Sequence, residues 1–257
     1  MKTAEEIKIG IVCGCFPTQP GIAPDELYHR VLAKRIESEK QIMLYVSSIW
    51  YNTVSSGYAL TQQLINTEKP DVVLFHVRPD PYLRISKLWM KYSDKEKRVQ
   101  KKINLDADDS MIVDDFTPSA SQRIRQKSLL HGAFRQLNYL LGALIGSNSN
   151  AIEKERISIE NILAECEQQK LPLIIIGPAS RDTGFFENIL LYRLEKKLSL
   201  YFKNKNYVTC FGTKDENGTR LFIEDGIHVS PAGHKRIADL IYTCLIKIIT
   251  TSFIKEA

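Results

Sequence analysis

The sequence has no uninterrupted apolar run of the roughly 18 residues that a membrane-spanning helix needs. Its most apolar stretch, LIYTCLIKIITTSFIKEA near the end, is broken by Lys247 and by threonines. No secretory signal is read at the start, where Glu5, Glu6 and Lys8 interrupt a short apolar segment. Cysteine is scarce: Cys13, Cys15, Cys166, Cys210 and Cys244 are odd in number and scattered over 257 residues. That argues against a disulfide framework and for free thiols in a reducing compartment, so a cytoplasmic protein is expected. Neither sign of charge dominates. The 35 basic and 30 acidic residues leave +5, short of the basic footprint of a nucleic-acid binder. Internal repeats, low-complexity tracts and Gly/Ser/Pro-rich linkers are lacking too, and one domain over residues 1–257 follows. Finally, no glycine-rich phosphate loop follows the first apolar run. G-C-F-P-T-Q-P-G carries prolines and no P-loop lysine, which sets a nucleotide-binding reading well behind.

What is present is the composition of an ordinary globular protein, 44% hydrophobic and 25% charged. Five short apolar runs rich in β-branched residues punctuate the chain: IKIGIVC (7–13), IMLYVSS (42–48), DVVLFHV (71–77), LPLIIIG (171–177) and YVTCFG (207–212). Their near-continuous hydrophobicity is that of parallel strands covered on both faces. Helical segments fit between and after them at about 24–40, 57–68, 119–169, 184–203 and 231–250. Strand and crossover helix alternate, which predicts an α/β fold: a three-layer α/β/α arrangement around a five-stranded parallel, flavodoxin-like sheet. The stretch between the third and fourth strands is too long for a simple crossover. From Arg78 to Lys102 it holds nine Lys or Arg against three Asp or Glu, and Asp106, Asp108, Asp109, Asp114 and Asp115 follow. A charged insertion at about 78–118 is expected, either a solvated helix and loop or a lid beside the site.

The chemistry concentrates in residues 224–241, EDGIHVSPAGHKRIADLI. An Asp and a His three apart in a turn can set the carboxylate against one imidazole nitrogen, fixing the tautomer and leaving the other nitrogen to act as a base. Ser230 suits a helix N-cap and Pro231 the first helical position, so the turn would be anchored to the helix that follows.

This block resembles the last block of the SGNH/GDSL hydrolases, D-x-x-H-P-x-x-x-G-H, and stands where that family has it, after the fifth strand and before the last helix. The resemblance implies the SGNH hydrolase fold over the whole chain, with His228 as catalytic base and Asp225 as its orienting acid. His234 would pack or cap at the helix start. The family's first block, G-D-S after strand one, is replaced by Cys13-Gly14-Cys15-Phe16-Pro17-Thr18. Cys15 stands where the serine would be and is either a thiolate nucleophile paired with His228 or a buried small residue. Cys13 reads as buried, and no metal site is read from this pair. For the second block, Gly57 matches the oxyanion-hole glycine or is a turn glycine. The third block, G-x-N-D, is altered to Phe75-His76-Val77-Arg78-Pro79-Asp80. Arg78 would then offer donors to an oxyanion or a substrate anion in place of the asparagine, Asp80 would be the block's aspartate, and His76 reads as a core histidine.

Two functions follow. One is an ester hydrolase of SGNH type removing small acyl groups such as acetyl, with a small-molecule or carbohydrate ester as substrate. The other is a catalytically inactive SGNH-fold protein that binds a carbohydrate or a protein partner. Neither needs a cofactor, and no nucleic-acid or membrane partner is expected.

Overall fold

The computed structural model of the chain describes residues 5–14, 16–19, 21–85, 103–104, 136–141, 144, 147–182 and 184–252. Six strands form one sheet: β1 (Glu5–Cys13), β2 (Ile42–Trp50), β3 (Val72–His76), β4 (Ile103–Asn104), β5 (Leu173–Ile176) and β6 (Tyr207–Val208), in the order β4-β2-β1-β3-β5-β6. The five strands expected from the apolar runs are all parallel to one another. The sixth, β4, was not expected. It adds two residues antiparallel to the edge of β2, opposite Ser47 and Ser48, and a pair that short carries no periodic signal in the sequence.

The helices are α1 (Tyr28–Lys40), α2 (Val54–Glu68), α3 (Pro79–Ile85), α4 (Ser147–Gln168), α5 (Phe185–Tyr201) and α6 (Pro231–Ser252). Two begin away from their expected starts for visible reasons, and of the helical segment expected at 119–169 only residues 136–141, 144 and those from Ser147 on are described. Residues Pro24–Glu26 form a separate 3-10 turn ahead of α1. At α2 a capping box moves the start forward to Val54: Thr53 Oγ1 accepts the Ser56 N–H at 3.2 Å, and Ser56 Oγ accepts the Thr53 N–H at 3.1 Å. Most of the expected insertion at 78–118, including all five aspartates of its acidic half, lies outside the described residues.

Alternation along the strands divides the interior into two half-cores. Ile7, Ile9 and Ile11 of β1, with Leu74 and Ile174, cluster with Tyr28, Leu32 and Ile36 of α1 and Ile237, Ile241 and Leu245 of α6. Val12, Val73, Phe75 and Ile175 point the other way, into Leu60 and Leu64 of α2, Ile159 and Ile162 of α4, and Leu190 and Leu194 of α5. Burying each of these side chains contributes about 1.5–3 kcal/mol before conformational entropy is counted. Gly10 lets α2 approach the sheet closely, since a Cβ there would stand 2.9 Å from Leu64 Cδ2. The chain leaves β1 to form β2 on one side and returns to form β3 on the other. That order creates a switch point between β1 and β3, and ligand crevices in such sheets form at the carboxyl ends of strands beside it.

Candidate active site

The turn before α6 is built around one carboxylate. Asp225 Oδ1 accepts the backbone N–H groups of Ile227 (2.8 Å) and His228 (2.9 Å), while Oδ2 lies 2.5 Å from Nδ1 of the His228 ring. Gly226 takes φ +66°, a left-handed conformation that glycine adopts without strain, and this folds the histidine back over the aspartate. The turn is closed by the Ile223 N–H to the His228 carbonyl (2.9 Å) and by the bridge between Phe222 and Val229. Ser230 caps α6 as its position suggests, its Oγ accepting the Gly233 N–H at 3.2 Å. Burial tends to raise the Asp225 pKa, but the hydrogen bonds from the His228 ring and from the two backbone N–H groups outweigh it, so the carboxyl is held below its ordinary value. An ionised carboxylate only accepts, so the proton between the pair belongs to Nδ1 and Nε2 becomes the basic nitrogen.

Beside this turn, at the carboxyl ends of β1, β3 and β5, opens a cleft of about 470 Å³ including its solvent-open part. It is lined by Gly14 and Phe16 after β1, His76 to Asp80 at the end of β3, Ala179 to Arg181 after β5, and Ile227. Arg78 lies across the end of β1, and Gly14 makes room for it: a Cβ at residue 14 would stand 2.5 Å from Arg78 Nε. The guanidinium donates through Nη1 to the Tyr51 carbonyl and to Asn52 Oδ1. Tyr51 also fixes the backbone at this corner, its hydroxyl donating to the His76 carbonyl (2.7 Å) and accepting the Arg78 N–H (2.8 Å).

Two features of the site had no signal in the local sequence. Gln19, after β1, pairs with the backbone of the residue next to the histidine: its Nε2 donates to the Val229 carbonyl (2.6 Å) and its Oε1 accepts the Val229 N–H (3.0 Å), both buried. Arg181 donates to buried Glu187 at 2.7 Å and also pairs with Asp80. Nothing at either position distinguishes it from a loop residue until the fold brings its partner across. A third feature is a cluster of histidines away from the site. His29, His76 and His234 are buried around Tyr28, whose hydroxyl meets His76 Nε2 at 2.8 Å and whose N–H donates to His234 Nδ1 at 3.3 Å. Burial pushes His29 and His76 down to about 3 and His234 down to about 4, so all three are neutral.

The residues singled out from the sequence are therefore brought together in part. Asp225 and His228 are paired, and Arg78 and Asp80 line the adjacent cleft. His76 and His234 are packed interior residues, and Cys13 is fully buried. Gly57 stands inside α2, where a Cβ would touch the Phe75 ring at 3.4 Å, and is not among the residues that line the cleft. Cys15 lies outside the described residues, although Gly14 and Phe16 on either side of it both line the cleft.

No protein-family model matches the sequence, and no curated protein does. The fold, by contrast, is similar to solved structures. A G-D-S-L family protein from Desulfitobacterium hafniense DCB-2, described as lipolytic, superimposes with a TM-score of 0.54 at 12% identity, over 93% of this chain and 99% of that one. A catalytic mutant of an acetylxylan esterase from Geobacillus stearothermophilus superimposes with a TM-score of 0.53 at 12% identity, over 95% and 96% of the two chains. A second mutant of that esterase gives 0.53 at 13% identity, over the same shares. The three-layer fold of this chain is that of the G-D-S-L hydrolases.

Proposed function

We propose that the protein is an ester hydrolase of SGNH type, one domain over its length, that removes small acyl groups such as acetyl from a carbohydrate or other small-molecule ester. The observation that carries this reading is the Asp225–His228 pair at 2.5 Å beside a cleft at the carboxyl ends of the strands. Cys15 is taken as the nucleophile, supported by the two neighbours that line that cleft. His228 Nε2 accepts the thiol proton as sulfur attacks the ester carbonyl carbon. The tetrahedral oxyanion collapses, and the departing alcohol oxygen takes the proton back from His228. Water, deprotonated in turn by His228, then cleaves the thioester and releases the acid and the thiol. The oxyanion is assigned to the Cys15 backbone amide, as the family's first block supplies it, and Arg78, whose guanidinium faces Asp80, to an anionic group of the substrate. Two similar folds are those of an acetylxylan esterase, which supports acetyl as the first acyl group to try.

Hydrolysis of p-nitrophenyl acetate by the purified protein tests this, beside His228→Ala and Cys15→Ala and with iodoacetamide to report thiol reactivity. Loss of activity in both variants with selective labelling of Cys15 is expected. Activity lost only in His228→Ala would place the nucleophile elsewhere. An inactive wild type, on this ester and on acetylated sugars, would favour the non-catalytic binding protein.

A further inference from the structure

Arg78 and Arg181 reach the cleft from different loops, after β3 and after β5, and they are held in the same manner. Each is anchored through Nη1, Arg78 by the Tyr51 carbonyl and Asn52, Arg181 by the buried carboxylate of Glu187. The Arg181 backbone is fixed as well, its N–H donating to Asn188 Oδ1 at 2.8 Å. Each then presents Nη2 to the same group: the two oxygens of Asp80 face one arginine apiece, Oδ2 toward Arg78 at 3.6 Å and Oδ1 toward Arg181. Two preorganised guanidinium groups converging on one carboxylate make the arrangement that binds carboxylate or phosphate well.

Exposure separates the holders from the group held. The arginine side chains are 15% and 10% exposed, whereas that of Asp80 is 42% exposed. Asp80 sits on α3, a short helix at the mouth of the cleft, and can turn into water while the arginines stay. Its departure leaves Arg78, Arg181 and Glu187, one positive charge in excess, which an incoming anion restores to balance.

We propose that Arg78 and Arg181 form a site for an anionic group, a carboxylate or a phosphate, and that Asp80 is its exchangeable internal occupant. The substrate class that follows is an ester bearing an acidic group on its acyl or alcohol part. The ester rests on the hydrolase reading above; the anion site does not.

The test titrates the full-length protein with inorganic phosphate and, separately, with succinate, by calorimetry. Asp80→Asn is expected to bind at least one of them about tenfold more tightly than wild type, because the competing carboxylate is gone. Adding Arg78→Gln or Arg181→Gln to Asp80→Asn removes the gain, and Arg78→Lys, which keeps charge but loses the fork, serves should Arg181→Gln fail to fold. A gain for phosphate alone identifies a phosphorylated ligand, and for succinate alone a carboxylic one. No tightening in a folded Asp80→Asn, or tightening that survives loss of either arginine, overturns the site. In parallel, the ratio of kcat/KM for mono-p-nitrophenyl succinate to that for p-nitrophenyl acetate should rise several-fold in Asp80→Asn. If no variant hydrolyses either ester, the hydrolase reading fails while the titrations still decide the anion site.

Discussion

Asp225 uses two oxygens for three hydrogen bonds, and the division matters: Oδ1 builds the turn from two backbone N–H groups, and Oδ2 orients the His228 ring. In Asp225→Asn an amide can still accept both backbone bonds, so the turn should persist. The group facing Nδ1 would no longer be a carboxylate that holds the proton there. The expected result is a melting temperature close to wild type with kcat/KM reduced on the order of 10³-fold or more, as measured on p-nitrophenyl acetate. A loss under tenfold would mean that the pair is not used as acid and base. This pair was legible in the sequence because both partners lie within one turn and Ser230-Pro231 announces the helix behind them. Arg181 was not legible, because its partners Asp80 and Glu187 are supplied by other elements. Gly57, read as an oxyanion-hole glycine or as a turn glycine, stands inside α2. A glycine near a strand-to-helix junction reads as a turn, but here it admits the Phe75 ring against the side of α2.

At the scale of elements, the segment after β1 and the turn before α6 are joined by one side chain. Gln19 makes with Val229 the two bonds that a neighbouring strand would make, across 210 positions of sequence. Gln19→Leu leaves a buried N–H and a buried carbonyl without partners, which costs about 1–3 kcal/mol for each group. The expected outcome is a clear drop in the urea midpoint together with a larger fall in kcat than change in KM, since His228 adjoins Val229. Gln19→Glu keeps the acceptor for the Val229 N–H and should recover part of kcat; equal behaviour of the two variants would assign Gln19 to stability alone. A glutamine in a proline-bearing loop gives no hint of such a partner. The strands, by contrast, were readable as five apolar runs because both faces of this sheet are covered and their hydrophobicity is continuous.

For the molecule as a whole, buried titratable groups set the pH at which the fold is most stable. His29, His76 and His234 have ordinary values of 6.5 and folded values of about 3, 3 and 4. Their folded pKa values are depressed, so their contribution is present above pH 6.5 and is lost as the pH falls toward 4. Each costs about 1.4 kcal/mol per pH unit in that window. Glu155 has the opposite sign. Burial raises it from 4.5 to about 8, so its contribution is present below pH 4.5 and lost as the pH rises through 8. Below pH 6.5 three imidazoles outweigh Glu155 and Glu195, the latter likewise raised by burial, and above it the carboxyls act without opposition from the imidazoles. Stability should therefore peak near pH 6–7, as read from melting temperatures across pH 4–9. Glu155→Gln should flatten the alkaline side and leave pH 4.5 nearly unchanged; an unaltered alkaline limb would show that Glu155 ionises at its ordinary value.

The most direct measurement is to quench the protein with p-nitrophenyl acetate within a turnover and locate the acetyl group by peptide mass spectrometry. Acetyl on the peptide that contains Cys15, present in wild type and missing in His228→Ala, is the expected result. Acetyl on another residue, or undiminished turnover in His228→Ala, would contradict a hydrolase that works through Cys15 and the Asp225–His228 pair.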